Sequence, residues 1–112
     1  MDKQDYKISI NVYGFRKGKL VKHDKKAWFG SQHTSIENAK IYAIVVMKEM
    51  LDIDSDKFDF VEANENGVVK ISYHEVYYGY GFRMEIICHT FVGLDNDDVQ
   101  FGSSIDFPKG LK

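Results

Sequence analysis

At 112 residues, with 44% hydrophobic and 29% charged side chains, the chain has the size and composition of one folded domain with its own core, so extensive disorder is not expected. A single cysteine, Cys88, excludes an internal disulfide framework, and the longest apolar run, Ile41 to Met47, is too short to span a bilayer. The net charge of −2 hides an asymmetry: residues 1–48 carry ten Lys or Arg against four Asp or Glu, and residues 49–112 carry five against thirteen.

The N-terminal MDKQDYK lacks the apolar stretch of a signal peptide, so a cytoplasmic location is the expectation. Tyr6 to Phe15 alternates, with Ile8, Ile10 and Val12 on one side and Lys7, Ser9, Asn11 and Tyr13 on the other. That pattern predicts a strand with one buried face. Lys17-Gly18 supplies a turn, and Leu20 to Gly30 a second strand whose charged middle suits an exposed sheet edge. The spacing predicts a helix from Thr34 to Asp52, opened by a Thr34–Glu37 capping box, with Ile36, Ala39, Ala43, Met47 and Met50 as the inner stripe.

Phe58 to Glu65 is the third expected strand. Asn66-Gly67 favours a two-residue type I′ hairpin to a fourth, Val68 to Tyr78. Taking Tyr80-Gly81 as the next turn leads to a fifth strand, Phe82 to Val92, and Val99 to Phe107 is a candidate sixth. The order is ββαβββ(β). It predicts a single α+β domain over residues 1–112, an antiparallel sheet with one helix packed across one face.

Strand pairing can gather residues that sequence spacing keeps apart. The two-residue turns would set Asp59 across from His74 and Ser72 across from His89, all on the face away from the helix. The set has the composition of a hydrolytic triad, yet a flat sheet face lacks the oxyanion hole and pocket of that chemistry. Asp52-Ile53-Asp54-Ser55-Asp56 begins like an EF-hand loop, but the sixth position is Lys57 rather than Gly and the twelfth is Ala63 rather than Glu. Cys88 falls on the helix side with Met84 and Ile86, as a core residue does. No phosphate loop, nucleotide fingerprint or zinc spacing is present, so neither a metal nor a cofactor is expected.

The remaining signals concern surfaces. Tyr77, Tyr78 and Tyr80 cluster around two glycines, as interface tyrosines do. Asp52, Asp54, Asp56, Asp95, Asp97 and Asp98 would suit a basic partner, such as a nucleic-acid-binding protein. On the helix, at about 100° per residue, Ile41 and Val45 fall inside the polar arc and stack into one apolar patch. Either the C-terminal segment, through Ile105 or Phe107, or a second copy of the chain would cover it. The leading expectation is a small non-enzymatic protein of the inhibitor, immunity-protein or adaptor kind, engaging another protein through acidic and aromatic surface. The alternative is a nucleic-acid-binding module using Arg16, Lys17, Lys19, Lys22, Lys25, Lys26 and Trp28. No membrane association is expected.

Overall fold

A computed structural model describes residues 2–54, 57–61 and 67–95. Strands β1 (Gln4–Arg16) and β2 (Lys19–His33) precede helix α1 (Ile36–Leu51), and β3 (Asp59–Val61), β4 (Val69–Gly79) and β5 (Phe82–Leu94) follow it. They form one five-stranded sheet in the order β2-β1-β5-β4-β3, antiparallel throughout. The architecture is the expected ββαβββ α+β fold, and the further strand at Val99–Phe107 lies outside the described residues.

Two turns set the long hairpins. Lys17 and Gly18 have φ of 54° and 78°, and Tyr80 and Gly81 have 55° and 84°. Positive φ at both central positions is the type I′ signature, whose twist matches that of the flanking strands. The second turn pairs Gly79 with Phe82 and Ser72 with His89, as expected. The β3–β4 register differs by two residues: Asp59 faces Ser72 rather than His74. A shift of two keeps every side chain on its own face, so the assignment of faces survives although the pairing does not.

The core lies between the sheet and α1. Ile8, Ile10 and Val12 of β1, Ile71 and Tyr73 of β4 and Cys88 and Val92 of β5 meet Ala39, Ala43 and Met47. Ile36 and Met50 flank this cluster, so the whole predicted inner stripe faces the sheet. The helix begins one residue later than expected. Ser35, not Thr34, is the N-cap, its hydroxyl accepting from the Asn38 amide at 3.1 Å, while Glu37 pairs with Lys40. Asp52 ends the helix in the left-handed region at φ 54°.

Strand β1 departs from the one-sided expectation. Ser9, Asn11 and Tyr13, on the face away from the helix, are as fully buried as Ile8 and Ile10. As the second strand in the sheet, β1 is flanked on that face by side chains of both neighbours: Tyr13 stacks on His23 of β2 at 4.5 Å and meets the edge of His89 of β5 at 6.3 Å. A bulge in β2 between the Ile8–Phe29 and Ile10–Lys26 pairs lets Phe29 pack on the core while Trp28 turns to Phe91 on the other face.

Candidate functional site

Length decides which surface is left open. The 13 residues of β1 extend about 43 Å, whereas the 16 residues of α1 reach about 24 Å. The helix packs on the part of the sheet holding Tyr6 to Val12 and leaves the end carrying the two type I′ turns uncovered. Among the described residues the exposed large apolar side chains accordingly fall in two places: Leu20, Val21, Val76, Tyr77, Tyr78 and Tyr80 toward the turns, and Ile41, Tyr42 and Val45 on the helix.

The turn end unites two clusters that are far apart in sequence. Pairing of β1 with β5 places Arg16 opposite Met84, and the Lys17 amide donates to the Arg83 carbonyl at 3.0 Å. The Arg16 guanidinium and the Lys17 ammonium each sit 4.5 Å from the centre of the Phe82 ring. On the same face Tyr77, paired with Met84, is 38% exposed; Tyr80 in the turn is 96% exposed, and Tyr78, on the opposite face, 76%. Tyr80 holds a left-handed backbone that a residue with a Cβ adopts only at a cost. The fold therefore maintains a strained tyrosine whose side chain stands almost wholly in solvent.

The other basic residues are less concentrated than a single nucleic-acid face requires. Lys22 and Lys26 pair with Gly14 and Ile10 and share the helix-side face, whereas Lys25 pairs with Asn11 on the opposite face. Lys19 adjoins the β1–β2 turn, and Lys22 is paired with Asp24 at 3.1 Å. Trp28 is half-buried against Phe91. These lysines nevertheless line β2, an edge strand that β1 separates from β5, β4 and β3.

The acidic positions are not gathered among the described residues. Asp52 and Asp54 follow α1, where Asp54 approaches Lys48 at 4.0 Å; Asp95 follows β5 and pairs with Lys7 at 3.7 Å. Asp56, Asp97 and Asp98 lie outside the described residues.

On the face away from the helix, cross-strand pairing gives one polar row: Asp59, Ser72, His89, Asn11 and Lys25. The order is wrong for nucleophilic catalysis. The serine stands between the carboxylate and the imidazole, where a triad needs the imidazole in the middle. His74 bonds Glu85 instead. Burial, with Lys70 adding to it, pushes His89 down to about 4, so its imidazole is neutral at pH 7. Burial pushes the Cys88 thiol up to about 12, opposite to what a nucleophile requires. Among the described residues no three His, Cys, Asp or Glu side chains converge as metal ligands do.

Asn11 is the residue of this row that sequence reasoning missed. Its Oδ1 meets His23 Nε2 at 3.3 Å, and its buried Nδ2 has no partner. The only sequence signal was the aromatic content of the same face, with Tyr13, Phe15, Trp28 and Phe91 in strand positions.

Among the described residues no helix is long and apolar enough to cross a membrane. These observations define a helix-on-sheet α+β protein with an aromatic and cationic sheet end. Comparison with protein-family models, curated proteins and solved structures finds no match to the chain.

Proposed function

We propose that this is a small non-enzymatic protein that acts by binding another protein, and that the turn end of the sheet makes the contact. The observation that carries this reading is the strained, almost fully exposed Tyr80 in the turn that leads into the Arg16–Phe82 pair, with Tyr77 on the same face. The turn requires positive φ at this position but not a tyrosine, since asparagine or glycine supplies it at lower cost, and such strain concentrates where chains make functional contacts. Tyrosine and arginine are also the side chains that most often dominate binding energy at protein interfaces. The cations select a partner with an acidic surface at this end. The described acids do not form a comparable patch, so the aromatic half of the expected surface carries the proposal.

A second reading is a single-stranded nucleic acid, favoured by the two cations held over one aromatic ring beside exposed tyrosines. The net charge of −2 counts against it.

Site-specific photo-crosslinking in the source cells tests both. A benzoylphenylalanine in place of Tyr80 is compared with one in place of Lys3, which is exposed near the opposite end of β1. The proposal expects a discrete nuclease-resistant protein adduct from position 80 and none from position 3. Nuclease-sensitive adducts at position 80 would establish the second reading instead. Adducts from position 3 alone would overturn both.

A further inference from the structure

The second exposed apolar place is the outer face of α1, and it is independent of the turn end. Ile41 is 61% exposed and Val45 48%, one turn apart on the helix. Shallow hollows flank this ridge: one of about 260 Å³ lined by Glu37, Lys40, Ile41 and Ile44, and one of about 360 Å³ lined by residues from Val45 to Asp54. We infer that a second copy of this chain covers the ridge, the two α1 helices lying antiparallel about a two-fold axis that passes beside Ala43.

The charge pattern of the helix selects that occupant. At about 100° per residue, Glu37 and Lys48 lie on one flank of the Ile41–Val45 ridge, and Asn38 and Glu49 on the other. A two-fold axis perpendicular to the helices keeps each flank facing the same flank of the partner while reversing chain direction. With the axis beside Ala43, Ile41 meets the partner's Val45. On one flank Glu37 comes beside the partner's Lys48, and on the other Asn38 comes beside the partner's Glu49. Like charges are not brought together along the ridge. Asp52 opposes the dipole of its own helix, and this arrangement carries it to the N-terminal end of the partner's helix, where a carboxylate is favoured. A parallel pair would set Asp52, which falls on the ridge line, against the partner's Asp52, which disfavours it. A 16-residue helix gives a contact at the small end of stable interfaces, so the dimer is concentration-dependent.

Sedimentation velocity on the full chain, over a concentration series, reads the mass. The expected result is a monomer–dimer equilibrium that shifts to monomer in Ile41→Glu/Val45→Lys with the melting temperature retained. Lys48→Glu sets like charges against each other and should raise the dissociation constant by about tenfold or more. Glu37→Lys/Lys48→Glu should restore it, a rescue that only self-pairing in this register produces. A monomer at every concentration overturns the inference. So does a dimer indifferent to both the apolar and the charge variants. An unchanged mass with a large loss of stability in Ile41→Glu/Val45→Lys would show that the chain's own C-terminal segment covers the ridge, and that too overturns it. If the apolar variant fails to fold, the charge pair decides: absence of rescue is the contrary result.

Discussion

The Lys17 backbone amide donates to the Arg83 carbonyl at 3.0 Å, fastening the tips of two hairpins that lie more than sixty residues apart in the chain. The bond makes one surface out of a cationic turn and a tyrosine turn. Its position depends on both type I′ turns, because each tip must curl with the twist of its own strands. Gly81 sits at φ 84°, where a β-branched side chain is strongly disfavoured. Gly81→Val should therefore lower stability by about 1–2 kcal/mol in urea denaturation. A variant as stable as the parent would mean that the turn does not need this geometry.

His89 links the polar row to pH. Its folded-state value of about 4 lies below the ordinary 6.5. Between these values the unfolded chain binds a proton that the folded chain refuses, so stability rises with pH across that window. The contribution is complete above about pH 6.5 and is lost as pH falls toward 4. His33, lowered by burial and by Lys3, acts in the same sense. The urea midpoint should fall between pH 7 and pH 4, with a shallower fall in His89→Gln. Identical slopes in the two proteins would count against a half-buried imidazole held neutral.

Asn11 gives a prediction of the opposite sign. Its amide nitrogen is buried without a hydrogen-bond partner. An unsatisfied buried polar group costs about 1–3 kcal/mol, and an apolar group of the same shape avoids that cost. Asn11→Leu should leave thermal stability unchanged or raise it, since the exposed His23 can exchange its contact for water. A loss of several degrees would show that the amide supports the fold in a way its contacts do not reveal.

These residues also show what local sequence can reveal. The register of β4 on β5 follows from Tyr80-Gly81 alone, and the inner face of α1 follows from the spacing of Ala39, Ala43 and Met47. Both are short-range properties. The two-residue difference between Asp59 facing His74 and Asp59 facing Ser72 was hidden because alternation fixes only the face. The pairing of β1 with β5 has no local signature at all: it is decided by how the whole sheet covers one helix. For that reason the lysine-rich turn and the tyrosine turn read as two separate features, and Asn11 read as a solvent residue.

Tyr80 offers the most direct test of the turn end as the binding surface. Asparagine tolerates the left-handed backbone far better than tyrosine, and Asn-Gly is the favoured type I′ pair. Tyr80→Asn should therefore stabilise the protein, by up to about 1 kcal/mol, while removing an exposed aromatic contact. The measurement pairs a thermal melt with retention of the crosslinked partner on immobilised protein. The account predicts a higher melting temperature together with weakened retention, a combination that misfolding cannot produce. Retention equal to that of the parent protein, at equal or higher stability, would contradict the claim that this end of the sheet is where the protein binds.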